Sequence, residues 1–310
     1  MTKTYKSFII FFITIILILL FFLKKYNDII KHDQIDILVS KNTELINNEL
    51  SYQKKHALSL AILFSKNQNI INFLKQKEPE KLKNELNNLI NLISNYTKIK
   101  NIQIQVHTKE LKVFVRSWEN KDSGLNLTSF RHGLVKVKKT KQPFVSNELG
   151  KRFNIKAISP IFDNKKYIGS IEVIVDYSSL KNRLKLAGIE IIPLLDDNFL
   201  DIAQYHKENA KLYNYVVIEK NYNKKLYDIL LHNKNILKRE KFYYEIEDKI
   251  ITIISLGNIK GKSVGYLVAS FEKSNQKFNY LPNYKYDGEI PNDISFKNEN
   301  KIYNKQIKIR

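Results

Sequence analysis

The chain opens on an apolar run, Phe8 to Leu23, interrupted only by Thr14 and bounded by Lys3 and Lys6 in front and Lys24 and Lys25 behind. A bilayer core of roughly 30 Å takes about 20 helical residues. Tyr5 and the snorkelling stems of the flanking lysines extend the run toward that length. No small-x-small cleavage site follows Leu23, so residues 1–25 read as a cytoplasmic N-terminus and an uncleaved transmembrane signal anchor. The lysines on its two sides nearly balance, so the positive-inside rule leaves the orientation to other arguments.

From Tyr26 to Ser65 the pattern changes to apolar residues at mixed three- and four-residue steps, among them Ile29, Ile37, Leu45, Leu58 and Leu63, with neither Gly nor Pro. This predicts one long rod leaving the membrane. Its spacing does not keep a strict heptad, so it is expected to pack on a sheet. Two shorter helices are predicted, around 67–76 and 80–98, with Glu78-Pro79 marking the break. At Ile102 the period becomes two, which predicts strands over 102–107, 111–118, 143–149, 153–161 and 167–176. A helix over 128–142 interrupts them. A second unit repeats the theme with strands over 189–195 and 213–219, a helix over 222–237, and strands over 242–247, 250–256 and 263–271. The turn Gly257 to Gly261 is of the kind a hairpin needs. Beyond Glu272 the chain is polar and carries Pro282 and Pro291, the pattern of a disordered tail.

The expected architecture is α+β: an N-terminal transmembrane helix, a long stalk helix and two PAS-like antiparallel-sheet units. The domains are 1–25, 26–186 (stalk and membrane-distal unit), 187–272 (membrane-proximal unit) and 273–310 (tail). Two cores are expected on length alone. The formal charge of +21 raises the question of nucleic acid. The lysines, however, are scattered along the chain among Asn, Ile, Tyr and Phe, with no zinc, helix-turn-helix or aromatic RNA-binding signature, so nucleic acid is not an expected partner. Cysteine is absent, which excludes disulfides and thiolate chemistry.

The segments Ile104-Gln-Val-His-Thr, Val113-Phe-Val-Arg-Ser-Trp118, Ser129-Phe-Arg131, Glu148-Leu-Gly150, Ile155 to Ile161 and Ile168 to Asp176 resemble the double Cache sensor modules of bacterial chemoreceptors, sensor histidine kinases and diguanylate cyclases. The resemblance is strongest over about 50–186. It implies an extracytoplasmic sensor whose distal unit binds the ligand and whose long helix mediates dimerisation. It also implies that the bulk of the chain lies in the periplasm or outside the cell, on a single-pass anchor in the inner membrane. Such receptors continue into a second transmembrane helix and a signalling domain, whereas this sequence stops at Arg310, so a separate signalling partner is expected. The alternative is a structural or partner-docking remnant of a receptor, with no ligand.

Alternation along the distal strands sorts the side chains into two faces. Val113, Val115, Ile171, Val173 and Val175 make a plain core face. Phe114, Arg116 and Trp118 share a face on one strand, Ser170, Glu172, Ile174 and Asp176 share one on another, and Asn154 and Lys156 lie on the polar face of the strand from Phe153 to Ser159. A face mixing charge with aromatics suits a small charged metabolite, a carboxylate or an amino acid. Arg116, Arg131 and Lys156 would pair a carboxylate, Trp118 would wall the carbon skeleton, and Asp176 would take an amine. The competing expectation is that Arg116 and Lys156 pair across strands with Glu172 or Asp176.

The six histidines, His32, His56, His107, His132, His206 and His232, are dispersed without metal-ligand spacing. Asp196-Asp197 reads as an acidic turn and the glycines from Gly257 to Gly265 as a hairpin, not a phosphate loop. No catalytic constellation, cofactor motif or metal site is expected, and the chain does not read as an enzyme.

Overall fold

The computed structural model describes residues 3–97, 101–257 and 261–273, with side chains from Phe11 onward. The expected turn at 258–260 and the tail from 274 lie outside the described residues, as do the side chains of Phe8 to Ile10 at the start of the apolar run.

Helix α1 (Lys3–Phe64) is continuous. The side chains from Phe11 to Leu23 are exposed. Among the described residues no helix is long and apolar enough to cross a membrane. Further on, Val39, Ile46, Leu50, Ala57, Ala61 and Phe64 are buried at three-, four- and seven-residue steps, one face of a 3.6-residue helix. Ala57 and Ala61 let that face approach the sheet closely. Helix α2 (Gln68–Gln76) begins where the Asn67 side chain accepts the Ile70 N–H at 3.1 Å, and ends at Lys77 in the left-handed conformation. Helix α3 (Pro79–Tyr96) starts with proline at a position that has no helical donor to lose.

The distal sheet has strands β1 (Gln103–Thr108), β2 (Val113–Arg116), β3 (Phe144–Glu148), β4 (Asn154–Asp163) and β5 (Lys166–Val175). Its order is β2-β1-β5-β4-β3, antiparallel throughout. Helix α4 (His132–Thr140) is the insertion between β2 and β3, shorter at both ends than its polar-apolar pattern predicts. Helix α5 (Ser178–Leu186), which periodicity does not announce, leads into the proximal sheet. That sheet contains β6 (Glu190–Asp196), β7 (Lys211–Leu212), β8 (Tyr215–Val217), β9 (Tyr243–Ile246), β10 (Lys249–Gly257) and β11 (Ser263–Glu272), in the order β7-β8-β6-β11-β10-β9. Helix α6 (Lys224–His232) is capped by Asn223, which accepts the Leu226 N–H at 2.9 Å.

The expectation of two cores is corrected. One continuous core runs from Val39 and Ile46 on α1 through Ile104, Ile171 and Val173 of the distal sheet to Ile191, Ile250 and Phe271 of the proximal one. The physical reason is that α1 backs both sheets and supplies a shared apolar spine. Two smaller clusters sit on the opposite faces, one under α4 around Leu134, Val137 and Ile158, the other under α6 around Leu226, Leu230 and Val268.

Candidate functional site

With α1 filling one face of the distal sheet, the other face is free to carry polar groups beside α4. Strand β1 alternates Ile104 and Val106 into the core with Gln103, Gln105 and His107 on the opposite face. Register sets Gln105 opposite both Arg116 and Glu172, His107 opposite Ser170, and Lys156 opposite Ile174. Arg131 enters from the residue that precedes α4. Gln105, His107, Arg116, Arg131, Glu148, Lys156 and Glu172 are all buried.

Buried ionic groups need partners. Arg131 has two: its Nη2 donates to Glu172 Oε1, and its Nε lies 3.5 Å from Glu148 Oε1. Burial opposes the charge on Arg131, yet Glu172 and Glu148 outweigh it and raise its pKa above the ordinary arginine value. Glu148 also accepts the Gly133 N–H at 2.9 Å, at the start of α4. Arg116 donates from Nε to Gln105 at 2.7 Å and from Nη1 to Glu119 at 2.6 Å and Asp122 at 2.5 Å. The Gln105 amide donates to His107 Nε2 at 2.6 Å, which leaves Nδ1–H facing Ser170 at 3.2 Å. Burial, then Arg131 and Arg116, hold the His107 ring well below the usual histidine range, so it is neutral and bridges Gln105 to Ser170.

Lys156 differs from these. Its Nζ donates to the Arg152 carbonyl at 3.2 Å, and it makes no ion pair among the described residues. Burial, with Arg131 next, lowers its pKa from 10.5 to about 7, while Glu172 and Glu148 oppose the shift. Gly150 leaves the space that Nζ occupies, since a Cβ there would collide with it. This is a buried ammonium poised between its two protonation states.

Gln105, Arg116, Arg131 and Lys156, but not His107, Glu148 or Glu172, line a narrow cavity whose space between atoms, open solvent included, is about 510 Å³. Arg116, Trp118, Arg131 and Lys156 all line it, so four of the five candidate residues come together. The Arg116 guanidinium lies over the Trp118 ring, 5.5 Å from its centroid. Asp176 is placed apart. It lines an adjoining space of about 1300 Å³, open to solvent, at the seam between the two sheets, and its Oδ1 accepts the Ser178 N–H at 3.1 Å. The two spaces share Gln103, Trp118, Arg152, Asn154, Ile174 and Tyr205. The cross-strand pairing expected of Arg116 and Lys156 is also corrected. Glu172 is taken by Arg131, which α4 brings directly over it, and Arg116 turns instead to Glu119 and Asp122 on the loop after β2.

Sequence reasoning passed over Gln103, Gln105, Lys151, Arg152 and Tyr205. The signal for the glutamines was present in the strict alternation of Gln103-Ile-Gln-Val-His107, which equally describes a solvated strand face. Nothing local marks Tyr205, which comes from the other sheet's territory. Among the described residues no group of His, Asp and Glu could hold a metal ion.

Comparison with known proteins finds similarities of fold and of sequence. The structure is similar to the Vibrio cholerae histidine kinase DctB sensor domain, at 10% identity over 75% of this chain and 95% of that one, with a TM-score of 0.44. It is similar to the sensory domain of the Campylobacter jejuni chemoreceptor Tlp3 with isoleucine bound, at 16% identity over 78% and 95%, with a TM-score of 0.44. It is also similar to the Escherichia coli DcuS sensor domain, at 16% identity over 44% and 98%, with a TM-score of 0.36. No curated protein matches the sequence. The sequence pattern of the dCache_3 family, described as the double sensory domain of two-component sensor kinases, matches residues 32–197, more than half of the chain. The chain therefore belongs to the double Cache sensory family.

Proposed function

We propose that the protein is a membrane-anchored extracytoplasmic sensor that binds a small carboxylate-bearing metabolite, an organic acid or amino acid, in the distal cavity. The residues in the binding role are Arg116, Trp118, Arg131 and Lys156, with Asp176 reached only by a ligand long enough to extend toward the seam. The bound state is passed to a separate signalling partner, and the anchor is the run from Phe8 to Leu23.

The observation that carries the reading is Lys156: buried, on the cavity wall, and bonded to a carbonyl instead of a carboxylate. Of the cations in the cavity lining, Arg116, Arg131 and Lys151 are paired with Glu119, Asp122, Glu148 or Glu172, which leaves Lys156 and Arg152 without a carboxylate among the described residues. A carboxylate ligand would supply the missing counter-charge, and charge-assisted hydrogen bonds to it would be strong in a partly desolvated site. The Arg131 Nε, in an ion pair with Glu148 at 3.5 Å, adds a buried donor with no hydrogen-bond partner among the described residues.

A second reading has its own support. Arg116 and Arg131 are already paired by Glu119, Asp122, Glu148 and Glu172, which is what a structural ion network without a ligand would have. A thermal-shift screen of the full chain in detergent, with amino acids, mono- and dicarboxylates and amines, separates the two. A ligand at a hundredfold excess over its Kd stabilises by about 2.7 kcal/mol. The sensor reading expects such a shift from a carboxylate-bearing compound and its loss in Arg116→Ala. The structural reading expects no shift from any compound.

A further inference from the structure

Three consecutive residues of the distal unit, Lys151, Arg152 and Phe153, are held alternately by the cavity and by the proximal unit. The Lys151 carbonyl accepts the Tyr205 N–H at 3.0 Å. The Arg152 carbonyl accepts the Lys156 ammonium at 3.2 Å. The Phe153 N–H donates to His206 Nε2 at 3.1 Å. Tyr205 and His206 belong to a short 3-10 turn between β6 and β7, and Asn209 fastens that turn to the proximal sheet by donating to the Val217 carbonyl at 2.9 Å. The Tyr205 ring lies beside the Arg152 guanidinium, 5.0 Å from its centre, and lines the same cavity as Trp118. It is 43% exposed, so the ring faces both the cavity and solvent.

We propose that the cavity is a composite of both units: Tyr205 of the proximal unit forms its outer wall, and occupancy of the cavity is coupled through residues 151–153 to the docking of the proximal unit. The coupling rests on the ligand-binding reading above; the composite wall does not. An anion that draws the Lys156 ammonium away from the Arg152 carbonyl frees the middle of a segment whose two neighbours are bonded to Tyr205 and His206. Those two bonds cannot both keep their geometry if the segment moves, because backbone hydrogen bonds weaken steeply with distance and angle. Ligand and docking therefore bias one another reciprocally.

Trp118 is the chain's single tryptophan, so its fluorescence reports on this wall without any ligand. In the full chain, iodide quenching of Trp118 is expected to rise about twofold in Tyr205→Ala, as when a local contact excluding solvent is opened, and to stay at the wild-type level in Tyr205→Phe. Should Tyr205→Ala fail to fold, Tyr205→Leu serves with the same expectation of increased quenching. For the coupling, Lys156→Met removes the central bond and should speed hydrogen exchange of the Tyr205 and Phe153 amides about tenfold. Unchanged quenching in Tyr205→Ala, or in Tyr205→Leu where that is the variant that folds, overturns the composite wall, and unchanged exchange at Tyr205 in Lys156→Met overturns the coupling. A failed ligand screen with these two results positive would sink the ligand reading alone.

Discussion

Lys156 concentrates the account at the scale of single residues. A buried ammonium whose pKa has dropped from 10.5 to about 7 is held against its preference, so the folded state binds fewer protons than the unfolded one between those values and loses stability as the pH falls across that window. Lys156→Met should raise the folding stability at pH 6 by about 1 to 3 kcal/mol, read from denaturant melts, while abolishing ligand-induced stabilisation. Loss of both together would mean the lysine is structural. Glu172→Gln tests the neighbouring pair from the other side. It leaves buried Arg131 with Glu148 as its remaining carboxylate partner and should cost about 1 to 3 kcal/mol in denaturant melts. Arg116 and Lys156 were legible as site candidates from strand alternation, but a bulge between β1 and β2 breaks the expected pattern: Val113 falls opposite His107 and packs under α4, while Phe114 packs on the core with Val115. Arg131 was legible only through the family's pattern, and its pairing with Glu172 was not, because that depends on how α4 crosses the sheet.

Elements were legible where their own residues dictate them. The distal strands were found from their alternation, which fails only locally at the bulge between β1 and β2; Asn67 and Asn223 cap the helices they precede, and Pro79 opens α3. Helix α5 was missed because Ser178–Leu186 buries only Leu180 and Leu184, too few apolar positions to set a period. Strand β7 was missed because two residues carry no period at all. At this scale Gly169 is a fixed point: a Cβ there would run into the His107 carbonyl and the Leu74 side chain, so β5, β1 and α2 meet only over a glycine. Gly169→Ala should destabilise the chain by about 1 to 3 kcal/mol in chemical denaturation, through overpacking. A neutral outcome would show that β1 and β5 have freedom to part, contrary to a rigid sheet under the cavity.

For the whole molecule, the seam between the units is the part no local pattern could announce, since it joins residues 150–153 to a turn more than fifty positions later. His206 sits in that seam and must be neutral at Nε2 to accept from Phe153. Burial first, then Arg152 and Lys156, lower its pKa from 6.5 to about 4. The unfolded chain therefore binds the extra proton first as the pH falls, and stability is lost between about pH 6.5 and 4, by about 3 kcal/mol in all. Thermal melts of wild type and His206→Gln over that range should converge as the pH drops. Parallel curves would remove His206 from the seam's energetics. The account's central claim, that the distal cavity takes a carboxylate on Lys156, is tested most directly by calorimetric titration of the full chain near pH 7 with the most stabilising carboxylate compound, in two buffers of different ionisation enthalpy. Pairing with a carboxylate raises the pKa of Lys156, so binding should take up a fraction of a proton, and both the uptake and the binding should vanish in Lys156→Met. Binding without proton uptake that survives in Lys156→Met, or no binding by any carboxylate, would contradict it.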